Sequence, residues 1–240
     1  MADQEGKLPS TSSRGEVDEF LRKVAETRAS AAPSGRRGRL VFAMDATASR
    51  EPTWDQAIRI QSDMFRETAA LGGLEIQLVY YRGLGECRAS GWVADAERLC
   101  RLMLSVRCLG GPTQIERVFR HVAAETREAE KVNALVFVGD CMEEEVDRLA
   151  LPAGELGLLG VPAFLFHEGT DSAASRAFQH FARLTGGACC RFDATSPHQL
   201  RELLSAVAVY AAGGRRALLE YSRRTGGMAR LLAHQPLGGP

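Results

Sequence analysis

Lysine is scarce in this chain: Lys7, Lys23 and Lys131 are the only ones among 240 residues, and every other base is arginine. Net charge is absent too. Thirty acids balance thirty bases and the pI is near 7.0, which removes any global electrostatic case for nucleic acid or an anionic membrane surface. No run approaches the roughly 20 apolar residues of a membrane helix, and the opening Met1 to Lys7 lacks the apolar centre of a signal peptide, so a cytoplasmic protein is expected. The six cysteines, Cys87, Cys100, Cys108, Cys141, Cys189 and Cys190, contain no Cys-x-x-Cys pair. A chain of this length needs no disulfide, and small buried apolar residues are their expected role. No glycine-rich fingerprint follows the first expected strand, which excludes phosphate-loop and dinucleotide sites. His121, His167, His180, His198 and His234 show no metal spacing and read as structural or surface residues.

What is present is the composition of one ordinary globular domain, 45% hydrophobic and 25% charged. Residues 1 to 14 are polar and expected to be disordered. Val17, Phe20, Leu21 and Val24 then fall on one face of an amphipathic helix, and residues 29 to 38 have linker composition. The domain itself is expected over 38–212, with 1–37 as an N-terminal segment and 213–240 as a helical extension and loose tail. Strands are predicted at Leu40–Met44, Leu74–Tyr81, Cys87–Val93, Ala134–Val138, Val161–Phe166 and Ala188–Phe192. Helices are predicted from Thr53 to Leu71, Asp95 to Cys108, Thr113 to Glu130, Ser172 to Leu184 and Pro197 to Ala212, the last behind Ser196 as its cap. A short acidic helix near Glu143–Leu149 and a separate turn or two at Leu156–Gly160 complete the set. Strands alternating with helices mean an α/β, three-layer, Rossmann-like fold: a doubly wound, mostly parallel six-stranded sheet with one antiparallel edge strand.

The chemistry is concentrated where the first strand stops. Leu40 to Met44 is a buried-strand pattern that ends on Asp45, and Asp45, Thr47 and Ser49 alternate with alanines, so three oxygen-bearing side chains point the same way. Carboxylates and hydroxyls are hard ligands, suited to magnesium, calcium or manganese and poorly suited to zinc. The fourth strand also finishes on a carboxylate, Gly139-Asp140. In an open doubly wound sheet the ligand crevice lies beyond the strand ends where the order reverses, and neighbouring first and fourth strands would bring Asp45 and Asp140 face to face, with Thr113 reaching in from its loop. Each residue has a structural alternative. Asp45, Thr47 and Ser49 can satisfy orphan amides near a helix start, and Thr113 can pair with Glu116 in a capping box. Glu143, Glu144 and Glu145 suit a helix amino terminus better than a ligand role. Trp54 is either a partner-contacting aromatic or packing beneath the loop, Glu168 lies on the functional edge, and Arg215, Arg216, Arg223 and Arg224 read as a solvated helix face.

These residues resemble the von Willebrand factor A (VWA) domain and its metal-ion-dependent adhesion site. That pattern is Asp-x-Ser-x-Ser after the first strand, a threonine in a later loop before a helix, and an aspartate after the fourth strand. Asp45-Ala-Thr-Ala-Ser49, Thr113 in Gly-Gly-Pro-Thr, and Asp140 in Phe-Val-Gly-Asp match it in order and context. The resemblance implies a Mg2+ or Mn2+ ion held by Asp45, Thr47, Ser49, Thr113 and Asp140, whose open position takes an Asp or Glu carboxylate from a partner protein. It implies an interaction module rather than an enzyme, with neither nucleic acid nor membrane as partner. Three positions depart from the pattern: Thr47 replaces a serine and adds a methyl that stiffens χ1, Gly139 stands where threonine is common, and Cys141 where glycine is common. Two alternatives remain. One is a haloacid-dehalogenase-like phosphohydrolase, for which the required lysine is misplaced, because Lys131 starts the strand that ends near Asp140, roughly 20 Å away at ~3.3 Å per residue. The other is a metal-free scaffold acting through its terminal helices.

Overall fold

The computed structural model describes residues 14–27, 37–50, 73–128, 130–192 and 197–225. The expected helix from Thr53 to Leu71 with Trp54, the cap Ser196, the first thirteen residues and the tail beyond Thr225 lie outside the described residues. In chain order the elements are α1 (Arg14–Glu26), β1 (Gly38–Asp45), a 3-10 turn (Ala48–Arg50), β2 (Leu74–Arg82), β3 (Glu86–Ala89), α2 (Ala96–Leu104), α3 (Ile115–Glu128), β4 (Ala134–Gly139), α4 (Val146–Leu158), β5 (Ala163–Glu168), α5 (Ser172–Thr185), β6 (Ala188–Phe192) and α6 (Pro197–Thr225). The six strands form one sheet in the order β3-β2-β1-β4-β5-β6. All pairings are parallel except β2 with β3, the expected antiparallel edge.

Residues alternate across the sheet with a period of two, and each face has its own core. Leu40, Phe42 and Met44 of β1 face one side with Val136, Phe164 and Phe166, where α1, α2 and α6 cover them. Val41 and Ala43 face the other with Leu135, Phe137 and Leu165, beneath α3, α4 and α5. Phe20 of α1 packs its ring against Phe164 and Phe166 at centroid distances of 6.1 and 5.3 Å, so the amphipathic N-terminal helix is part of this core. Gly38 explains how close α6 can come to β1: a Cβ there would fall 2.1 Å from the Ala211 carbonyl oxygen. Among the described residues no helix is long and apolar enough to cross a membrane.

Three local differences from the sequence expectations have physical causes. β3 stops at Ala89 rather than Val93 because Ser90 takes over the ladder. Its amide donates to Leu78 O (2.8 Å), its hydroxyl accepts from Leu78 N (3.0 Å), and the chain rejoins β2 only at the Ile76–Val93 bridge. The expected acidic helix begins only at Val146, after Glu143–Glu145, and runs on through Pro152 and the expected turn at Leu156 as one helix, α4. That proline forgoes one backbone bond but is buried with Leu149, Ala153 and Leu156, and the apolar face continues through it. In α6, Gly214 breaks the helix with φ 66° and ψ −164°, as expected, yet Ala217 and Leu218 beyond it return to the core.

Candidate metal centre

β1 and β4 are neighbours, with β2 outside one and β5 outside the other, so the strand order reverses between them. The crevice beyond their carboxyl ends is therefore the topological switch point. Asp45 closes β1 in register with Tyr81 of β2, and Asp140 follows β4 directly. Two residues on from Ala43, Asp45 shares the face of Val41 and Ala43 and is wholly buried. Its Oδ1 accepts the Thr47 amide at 2.7 Å, and its Oδ2 accepts the Tyr81 hydroxyl at 3.0 Å. The Asx-type bond turns the chain so that Thr47 Oγ1 and Ser49 Oγ lie 3.1 Å apart, Thr47 buried and Ser49 exposed.

Asp140 Oδ1 is buried and has no hydrogen-bond partner. One oxygen of Asp45, one of Asp140 and the Cys141 Sγ all lie within 4.8 Å of one another. Burial raises the Asp45 carboxyl above its ordinary value and the nearby Asp140 charge raises it further, against the hydrogen bonds from Thr47 and Tyr81. Burial, followed by the charges of Asp140 and Asp45, pushes the Cys141 thiol up to about 12. The Tyr81 phenol is held well above its usual value, first by burial and then by Asp45, so it remains a donor to that carboxylate. Two carboxylates that repel each other, one with an orphaned oxygen, beside a pair of hydroxyls at the open end, are a donor set that fits a divalent cation.

Thr113 reaches the same region by a different route. Its amide donates to Glu143 Oε2 (2.9 Å) and its hydroxyl accepts the Glu143 amide (3.0 Å), which ties the loop before α3 to the loop after Asp140. The capping box with Glu116 does not form. Glu144 supplies the cap from across the crevice, its Oε2 accepting Ile115 N at 2.7 Å and its Oε1 accepting Glu116 N at 2.9 Å, while the Glu116 carboxylate faces Arg120 and Arg148. The acidic run thus serves a helix amino terminus, but that of α3, about thirty residues earlier in the chain.

Residues outside the expected set complete the surroundings. His167, at the end of β5, is fully buried and donates from Nε2 to the Asp140 main-chain oxygen (3.1 Å). Its only sequence signal is its place at the end of an apolar strand. Leu109 donates its amide to Ala46 O and accepts from Gly83 N, which fixes the Leu109 loop against the residue after Asp45. Leu109 is 54% exposed on this loop, and Leu84, next to Gly83 in the β2–β3 turn that the loop holds, is 94% exposed. Glu168 is half-buried at the end of β5. Lys131 lies at the amino edge of the sheet, its Nζ 3.1 Å from where a Gly160 Cβ would be.

No family model matches the chain, and no curated protein matches it in sequence. Solved structures do match. The VWA domain of SpRpn10 superposes with a TM-score of 0.57 at 14% identity, over 70% of this chain and 94% of that one. A von Willebrand factor type A protein from Catenulispora acidiphila gives 0.57 at 15% identity, over 73% of this chain and 42% of that one. The pilus adhesin SpaC from Lactobacillus rhamnosus GG gives 0.59 at 11% identity, over 75% of this chain and 30% of that one. The fold is VWA-like.

Proposed function

We propose that this domain is a protein-interaction module that holds Mg2+ or Mn2+ at Asp45, Asp140, Thr47 and Ser49, with Thr113 alongside, and recognises an Asp or Glu side chain on a partner protein. It carries out no reaction of its own. The observation that carries the proposal is the meeting of two carboxylates within 4.8 Å at the switch point, one of them with a buried, partnerless oxygen. Repulsion of this kind is costly in a folded protein unless a cation or proton relieves it. When bound, the ion supplies charge compensation and an open position for a carboxylate. The chain's own residues do the rest: Thr47 N and Tyr81 fix the Asp45 rotamer, His167 holds the Asp140 backbone, and Thr113 with Glu143 sets the facing loop. Likeness to a VWA domain and to an adhesin supports a protein partner. Leu84 and Leu109 further suit a partner whose acidic residue is flanked by an apolar one.

Isothermal titration with Mg2+ and Mn2+, wild type against Asp45→Ala, is the direct test. Saturable heats in the wild type that vanish in the variant are expected, and identical heats in both would remove the metal. The partner chemistry is read by retention on arrayed peptides bearing Asp or Glu, which should require the ion and be lost when the acid is replaced by its amide.

A further inference from the structure

We infer that Cys141 is a ligand of this same centre, which makes the site one for a thiophilic divalent cation of the Zn2+ or Co2+ class. The inference rests on the reading of a divalent-cation centre above and departs from it in ion and ligands, the Cys141 sulfur joining the two carboxylates in place of the hydroxyls. Three donors from the ends of two neighbouring strands converge here, and the third is sulfur: Sγ of Cys141 lies within 4.8 Å of both the Asp45 and the Asp140 oxygen. Sulfur is a poor partner for Mg2+, which keeps oxygen ligands in near-octahedral geometry, whereas zinc takes thiolate and carboxylate together. Ligands at about 2.3 Å (sulfur) and about 2.1 Å (oxygen) from one tetrahedral ion stand about 3.4–3.6 Å apart, so donors within 4.8 Å of one another need to close by at most about 1.4 Å. The loop can accommodate that, since Cys141 and Asp140 are only half-buried and no regular element begins before Val146.

The remaining groups agree with a three-donor site. Asp140 Oδ1 is buried with no partner and is free to take a cation. A tetrahedral ion takes four donors: Asp45, Asp140 and Cys141 fill three positions, the mutually bonded Thr47 and Ser49 hydroxyls stay outside them, and a fourth, outward position is left for water or a partner's carboxylate. As the sulfur–metal bond forms the S–H bond breaks, and the proton leaves to solvent. No oxidation state changes. The glycine common at position 141 in the resembled pattern offers no side-chain donor, so the substitution adds a ligand.

The test is titration of the full chain with Co2+, whose bond to a thiolate gives a near-ultraviolet charge-transfer band. Mn2+ binding is measured in parallel from the loss of the free-ion paramagnetic resonance signal. We expect one equivalent of Co2+ to produce the band, Cys141→Ser to abolish it, and Cys189→Ser to leave it intact. Zn2+ should displace Mn2+ more readily from wild type than from Cys141→Ser, by about tenfold or more. Mn2+ binding with no charge-transfer band, or with a band that survives Cys141→Ser, would overturn the role of Cys141 while leaving the metal centre standing. Absence of binding by either ion, in wild type and Asp45→Ala alike, would overturn both.

Discussion

Replacing Asp45 by Asn separates a metal ligand from a structural cap, because the two roles predict opposite signs for stability. In the metal-free protein the Asp45 carboxylate is buried and one of its oxygens stands within 4.8 Å of Asp140. Two unit charges at that distance repel by about 3 kcal/mol at an effective dielectric of about 20, and screening around half-exposed Asp140 leaves roughly 1–2. Desolvation of the buried charge adds to this. An asparagine keeps its Oδ1 as acceptor for the Thr47 amide at a loss of about 1 kcal/mol, but its Nδ2 can only donate to the Tyr81 oxygen, so that bond reverses and the buried phenol proton loses its acceptor, at about 1–2 kcal/mol. With about 3 kcal/mol for desolvation of the buried charge the relief is roughly 4–5 against a loss of roughly 2–3, so the variant is expected to be more stable than wild type by roughly 1–3 kcal/mol at pH 7 in chelator. The pH dependence follows from the raised carboxyl. A group that binds its proton more tightly in the folded state stabilises fully below its unfolded value of 3.8, and that contribution is lost as pH rises through the higher folded value. The advantage of Asp45→Asn should thus shrink toward zero as pH falls below that unfolded value. Urea denaturation at pH 7 and in acid, with chelator, measures both points. Adding the ion at a hundredfold its dissociation constant should stabilise wild type by about 2.7 kcal/mol and leave the variant unchanged. A variant less stable than wild type by more than about 1 kcal/mol without metal would refute the reasoning, and Asp45 would be a cap.

Three further outcomes are expected. Glu144→Ala removes the acceptor of two α3 amides and should cost about 1–2 kcal/mol in urea denaturation; an unchanged midpoint would mean that water replaces the cap without loss. Phe119→Ala, at a fully buried ring packed on Phe181, should cost about 3–5 kcal/mol by the same method, and a loss below about 1 kcal/mol would contradict the packing of the α3 face. His121 donates to Gln77 Oε1 at 2.8 Å, and burial holds its ring below the ordinary value of 6.5 against the pull of Glu125. The unfolded ring takes up its proton first, so stability is full above about pH 6.5 and falls below it. His121→Gln should flatten that fall, with buried His167, shifted in the same direction, supplying the remainder.

The sheet was legible in the sequence because its signals are local. Apolar runs of strand length, each closed by glycine or a carboxylate, mark β1, β2, β4, β5 and β6, and the helix-period apolar faces between them force parallel crossovers. What escaped were the ends of elements, where a side chain competes with the backbone. Ser90 ends β3 by lending its hydroxyl to the ladder, and its composition alone does not distinguish that use from a turn. Pro152 lies between the expected acidic helix and the expected turn at Leu156, but the buried face of α4 continues through it, and tertiary packing outweighs the lost bond.

At the crevice the same division holds, and it accounts for a departure from the VWA pattern. Asp45 and Asp140 could be read because each closes an apolar strand. Tyr81, His167 and Glu144 could not, since their contacts are made with residues 36, 27 and 29 positions away and depend on strand register. Gly139 belongs with Tyr81. A Cβ at 139 would fall 2.9 Å from the Phe137 ring, and Phe137 stacks on Tyr81 at 6.3 Å with 17° between the planes. A threonine at 139 would stand beside Asp45, 3.8 Å from its Cβ, but only by displacing the ring that supports the tyrosine. The chain therefore lacks a hydroxyl at position 139 and presents one from Tyr81 instead. The missing threonine and the hydrogen bond on Asp45 Oδ2 are two sides of one packing arrangement. Gly139→Thr should accordingly loosen the Asp45 carboxylate rather than add a donor to it.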